Sequence, residues 1–261
     1  MNHLTKRAKA AARELTPPLL WRAAKRALKI TPPPQPPAPV YVPEHFREAT
    51  YQGVKTSHNA RPLHQGRFAG IYERYQVLDP NVPLNVTRYR IYNLCFFAHL
   101  ARRVEGDFVA AGVSFGVAPR VIYDFVDFPA LNKTFHLIDP FMAIDNSEQK
   151  VRMDKYNDNL ESVRSQYPPD ARIAFHQNII PAALPLKGAK RFAFVHLNTG
   201  DFRAEALSLP LFFDALSKGG ALVIDAYAVN DGQFEIYDPA LRQIGVEPLW
   251  LPSGQCVVLK T

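Results

Sequence analysis

The sequence predicts an α/β fold: a seven-stranded, mostly parallel sheet with helices on both faces and an antiparallel strand at the C-terminal edge. Three observations carry this. From residue 107 onward, short apolar runs alternate with longer helix-like stretches, the pattern of a doubly wound sheet. The first run, Asp107-Phe-Val-Ala-Ala-Gly-Val113, breaks directly into a glycine-containing turn, which lets the backbone approach a neighbour closely. The last two runs, 247–252 and 255–260, are separated only by Ser253-Gly254. That is too short for a crossover helix, so they read as an antiparallel hairpin.

The elements follow in order. A helix is expected over 87–104 and the first strand over 107–113, with a second helix ending near Phe128. Strands are predicted at 134–140, 171–177, 191–198 and 221–227, and helices at 148–166, 204–217 and 233–244. Gly219-Gly220 reads as the stop of the helix over 204–217.

Upstream the composition changes. Residues 1–30 hold eight Lys or Arg against one acid, Glu14, so the whole net charge of +7 sits there. Thr16-Pro17 looks like a helix start. Beyond it Leu20, Trp21, Ala24, Ala27 and Leu28 share one face, and Arg22, Lys25, Arg26 and Lys29 the other. Such an arm suits an anionic membrane surface; the alternative is a solvated helix that packs on its own domain or a partner. Residues 31–43 contain seven prolines and form a stiff spacer. Residues 44–86 read as a lead-in or lid, and 87–261 as the main domain.

Because the body carries 23 basic and 23 acidic side chains, a nucleic-acid partner is not expected. The two cysteines, Cys95 and Cys256, make neither a disulfide framework nor a metal motif. With no secretory signal and no run of ~20 apolar residues, the expected compartment is cytoplasmic, with peripheral contact at the inner face of a membrane through the arm.

The candidate chemistry lies at the strand ends. Gly112, Ser114 and Gly116 form the turn between the first strand and its helix, where free amides can face a ligand. The same residues also fit a tight turn with no ligand. The second strand ends at Asp139, where an acid accepts hydrogen bonds from ribose hydroxyls in doubly wound sheets. A capping or turn aspartate is the alternative. The third strand ends in His176-Gln177-Asn178, where an adenine edge would be met; a polar turn fits equally well. Gly112 and Gly116 lack a third glycine in dinucleotide register, which disfavours a nicotinamide cofactor.

The order GDFVAAGVSFG, HLIDPF, FAFVHLN and LFFDALSKGGALVIDAY resembles the macrocin O-methyltransferase family over about residues 85–235. The resemblance implies a Rossmann-like class I methyltransferase that uses S-adenosylmethionine to methylate a sugar hydroxyl, in a surface polysaccharide or a glycosylated metabolite. It implies that Gly112, Ser114 and Gly116 line the methionine end of the cofactor and that Asp139 holds its ribose. It also implies magnesium held near the acceptor by carboxylates, since a hard cation lowers a hydroxyl pKa.

At the implied metal site the sequence departs from the family. Asn198 replaces the first aspartate, Gly200 falls where the second acid is expected, with Asp201 next to it, and the paired acids become Asp225-Ala226. Three outcomes stay open. The enzyme is metal-independent, with His176, His196 or Asp225 as general base; or it binds metal weakly through Asn198, Asp201 and Asp225; or it has lost its chemistry and serves as an adaptor that recruits partners through the arm.

Overall fold

The computed structural model describes residues 49–51, 54–56, 60–142, 159–189, 191–229 and 232–261. The arm, the proline spacer and the first half of the helix expected over 148–166 lie outside them.

The lead-in opens with a hairpin of β1 (Ala49–Tyr51) and β2 (Val54–Thr56), then α1 (Arg61–His64) and α2 (Gly66–Tyr75). Phe68, Ala69 and Tyr72 share the buried face of α2, at the spacing that places them over one another on a helix. Phe68 packs edge-on to Tyr92 and Phe125, and Tyr75 Oη donates to Asp124 Oδ2 at 2.7 Å. This part of the predicted lead-in therefore shares the core of the main domain. Next comes α3 (Arg88–Ala101), which buries Ile91, Leu94, Cys95, Ala98 and Ala101 along one stripe.

The alternation follows: β3 (Asp107–Ala111), α4 (Val117–Phe125), β4 (Phe135–Asp139), α5 (Leu160–Arg164), β5 (Ile173–Gln177), β6 (Phe192–Leu197), α6 (Phe202–Ala215), β7 (Leu216–Ile224), α7 (Gln233–Gln243), β8 (Leu249–Trp250) and β9 (Cys256–Leu259). The seven-stranded sheet has the order β5-β4-β3-β6-β7-β9-β8. Strands β3 to β7 pair in parallel, and β9 runs antiparallel between β7 and β8. The hairpin turns where expected, with Gly254 at φ +81° donating from its amide to Leu251 O at 2.9 Å.

Strand alternation divides the core into two layers. One face buries Phe108, Ala110, Phe135, Leu137, Phe194 and Val223 with α2, α3, α4 and α5. The other buries Val109, Ile138, Val195, Leu222 and Val258 with α6 and α7. Each such fully buried large side chain contributes roughly 1.5–3 kcal/mol by leaving water. The faces meet at the carboxyl ends of β3 and β6, where the strand order reverses direction. In open parallel sheets this reversal leaves a crevice for ligands.

One boundary differs from expectation. Gly219-Gly220 does not stop a helix but lies inside β7. The helix yields earlier because Leu216 is fully buried and pairs with Phe192. The pairing then jumps to Phe194 with Ala221, and Gly219 N donates to Lys260 O at 2.7 Å. A Cβ on Gly220 would stand 2.8 Å from Ser217 O, so the second glycine is required by strand packing.

Candidate functional site

The reversal point of the sheet is bordered first by the turn after β3. Gly112 (φ +88°), Ser114 (φ +54°) and Gly116 (φ +87°) all occupy the left-handed region, which folds the chain back on itself before α4. At Gly112 a side chain is excluded by contact: an added Cβ would lie 2.1 Å from Asn198 O. The turn is also fastened by side chains. Asn159 Nδ2 donates to Ser114 O and Gln166 Nε2 to Phe115 O, each at 2.9 Å.

Asp139, at the end of the neighbouring β4, collects the turn's amides. Its Oδ2 accepts from Val113 N at 2.7 Å and Ser114 N at 3.1 Å, and its Oδ1 accepts from Phe141 N at 2.7 Å. Burial pushes its pKa up, against the pull of these three amides. A carboxylate has about four lone-pair sites, so Oδ1 keeps capacity for a ribose hydroxyl. Asn178 lies beside it, its amide donating to Asp139 O at 3.1 Å and its own Oδ1 accepting from Ile179 N at 2.8 Å. The structure thus brings Gly112, Ser114, Gly116, Asp139 and Asn178 to one rim.

The other half of the rim, after β6 and β7, is built differently. Asn198 is exposed, and its amide donates to Ala111 O at 2.8 Å. Asp201 caps α6, its Oδ1 accepting from Ala204 N at 3.0 Å. Glu205, which sequence reasoning missed, organises the intervening loop. Its Oε1 accepts from Thr199 N at 2.6 Å, Thr199 Oγ1 at 2.8 Å and Gly200 N at 3.3 Å, while Tyr237 Oη donates to Oε2 at 2.7 Å.

Asp225 is buried and fully engaged. Arg90, from α3, forms an ion pair with its Oδ2 and donates to its carbonyl oxygen at 2.5 Å. Gln255 Nε2 donates to its Oδ1 at 2.6 Å. Burial pushes the Asp225 pKa up, but the Arg90 guanidinium, His196 and Gln255 outweigh it and hold the carboxyl well below the usual range. A carboxylate held so low is a poor general base near neutral pH. Arg90 and Gln255 were not anticipated either. The available signal was the position of Arg90, which shares the buried stripe of α3 with Ile91 and Leu94.

The two candidate histidines part company. His196 lies on β6, 1 % exposed, with Nε2 3.6 Å from Asp225 Oδ1 and neither ring nitrogen hydrogen-bonded. His176 lies on β5, three strands away, or roughly 14 Å at the usual strand spacing, and on the opposite face. Its Nε2 lies 3.0 Å from His136 Nδ1, and His136 Nε2 lies 3.4 Å from Asp107 Oδ2. His176 therefore belongs to a separate polar chain across β3, β4 and β5, away from Asp225.

The donors do not suit magnesium, which demands near-ideal octahedral oxygen coordination. The Asp225 carboxylate is neutralised by Arg90, the Asp201 carboxylate caps a helix, and Ala226 offers no side-chain ligand. Among the described residues no group of three His, Cys, Asp or Glu can hold a metal ion. Asn198, Asp201 and Asp225 thus make a poor magnesium set, because the one buried carboxylate is neutralised by Arg90 and what is left is a single exposed carboxylate and an amide.

No protein-family model matches the sequence, and no curated protein sequence matches it. Solved structures do. The O-methyltransferase NovP aligns at 19% identity over 69% of this chain and 83% of its own, with a TM-score of 0.57. The calicheamicin methyltransferase CalS11 aligns at 13% identity over 75% of this chain and 94% of its own, with a TM-score of 0.51. At these identities the likeness is one of architecture, and it agrees with the strand order: the chain has the Rossmann-like class I methyltransferase fold.

Proposed function

We propose that the chain is an S-adenosylmethionine-dependent O-methyltransferase acting on a sugar hydroxyl of a surface polysaccharide or glycosylated metabolite. The observation that carries the reading is the fastened turn at 112–116, whose amides and partner Asp139 sit at the reversal point of the sheet. An acid at this position of a doubly wound sheet accepts from ribose hydroxyls, and Asp139 keeps lone pairs for one. Two similar folds, NovP and CalS11, are methyltransferases by name, which supports the reaction class. Bound there, S-adenosylmethionine supplies an electrophilic sulfonium methyl group.

The protein's own task is to hold a hydroxyl in line with that methyl group and to exclude water, which accounts for a large share of such a barrier. The leaving proton needs an acceptor. Of the three candidate bases, Asp225 is held ionised by Arg90 and His176 is remote. His196 remains, its Nε2 3.6 Å from Asp225 Oδ1, so that a small rotation of the ring would give it the carboxylate as an orienting partner.

The basic arm supports an acceptor at an anionic membrane surface, because substrates assembled on lipid carriers lie there. One experiment addresses both points. Full-length protein and a form lacking residues 1–40 are incubated with methyl-labelled donor and a membrane fraction from the source cell. Label is expected in a saccharide with full-length protein, and less of it without the arm. Label in protein or nucleic acid would sink the sugar reading, and equal labelling by both forms would sink the membrane role. A second reading, a methyltransferase-fold adaptor, draws support from Asn198, Ala226 and the closed Asp225. It predicts no label in any acceptor.

A further inference from the structure

We infer that the Arg90 guanidinium stands where the family resemblance implies a divalent metal, as the built-in counter-cation of Asp225, so that this end of the crevice takes neither magnesium nor manganese. The inference rests on the methyltransferase reading only for its consequence, that methyl transfer by this chain is indifferent to chelators.

The observations are geometric. Asp225 follows β7 next to the end of β6, its amide donating to Leu197 O at 2.9 Å. Asp225 therefore follows its strand beside Asn198, the pair of positions the resemblance assigns to the metal, and its carboxylate is buried there. Arg90 reaches it from the buried stripe of α3, 135 positions earlier in the chain. The guanidinium meets both the carboxylate and the main-chain carbonyl of Asp225.

The opposite oxygen is taken by Gln255. Gln255 is itself fixed by Asn93 Nδ2 at 2.9 Å and Ser253 Oγ at 2.7 Å, both donating to its Oε1. Both side chains of the ion pair are more than nine-tenths buried. A dication entering here would strip the carboxylate of these donors and meet the charge of Arg90 at close range, in surroundings where charge is poorly screened. The planar guanidinium, always charged, also satisfies a carboxylate in a fixed geometry that a hydrated metal cannot share. The loss of the other acids at Asn198 and Ala226 is the counterpart of this pair: with the cation built in, further carboxylates would be unpaired.

The test uses the purified full chain. Manganese is titrated in while the free-ion electron paramagnetic resonance signal is followed, and S-adenosylhomocysteine binding is measured with and without a chelator. The inference expects no loss of free manganese signal to the Asp225 site and unchanged S-adenosylhomocysteine affinity. Stoichiometric manganese binding that disappears in Asp225→Asn overturns it; binding that persists in Asp225→Asn lies elsewhere and upholds it.

A second measurement reads the pair itself. Arg90→Met lowers the melting temperature more than Arg90→Met combined with Asp225→Asn, because the single change leaves a buried carboxylate without its partner. Equal melting of the two variants overturns the pairing. If Arg90→Met does not fold, the manganese titration of the unmodified chain decides alone. Failure to bind S-adenosylhomocysteine under either condition removes the methyltransferase reading, yet the manganese result still decides the role of Arg90.

Discussion

The two halves of the rim solve opposite problems. Beside β3 and β4, backbone amides converge on one carboxylate that keeps hydrogen-bonding capacity, and glycine at 112 lets strand ends touch. Beside β6 and β7, the buried carboxylates are spent, Glu205 on its loop and on Tyr237 and Asp225 on Arg90 and Gln255, while the exposed Asp201 caps a helix through one oxygen. The first half is a left-handed turn gathered onto one acid, and the second a network of buried ion pairs and hydrogen bonds.

The comparison breaks most visibly at Gly112. Gly112→Ala drives a Cβ into the Asn198 carbonyl and forces a left-handed backbone. The expected loss exceeds ~3 kcal/mol of stability, together with all S-adenosylhomocysteine binding. Gly200→Ala is the matched control on the other half. Its φ is +80° but nothing lies within 4 Å of the added Cβ, so only backbone strain of about 1–2 kcal/mol is expected, with cofactor affinity retained. Chemical denaturation of both variants checks this. Equal losses would show that contact with Asn198 does not set the turn.

A smaller effect sharpens the contrast between the two histidines. Burial, and then the neighbouring His136, lower the His176 pKa. The folded state thus resists protonating it, so its contribution to stability is complete above the unfolded pKa of about 6.5 and is lost as pH falls through that value toward the folded one. His176→Gln is expected to flatten the dependence of the melting temperature on pH below neutrality while leaving S-adenosylhomocysteine affinity unchanged. A drop in that affinity would tie His176 to the crevice and contradict its remote placement.

How much of this was legible follows the same division. The strands, their order along the chain and the turn at 112–116 are local patterns of apolar runs and glycines, and the structure reproduces them with boundaries moved by a few residues. Gly219-Gly220 was misread because a double glycine carries the same local signal at a helix end and in an irregular strand; the buried pairing of Leu216 with Phe192 decides between them. Asp139 was visible as the acid at a strand end, but the partners that fasten the turn, Asn159 and Gln166, come from 45 and 51 residues away. Asp225 was visible as a lone acid and its state was not. Arg90 and Gln255 reach it from 135 residues before and 30 after, and no local pattern links them. Chemistry that depends on backbone shape was readable, and chemistry that depends on distant side-chain partners was not.

The turn after β3, gathered by Asp139, is the proposed seat of an adenosyl cofactor. Hydrogen–deuterium exchange of the full chain with and without S-adenosylhomocysteine tests it most directly. Saturable binding is predicted, with slowed exchange concentrated at Gly112–Gly116 and Phe141 and little change at Thr199–Asp201. Absence of binding by a folded protein, or protection confined to the loop after β6, would contradict it.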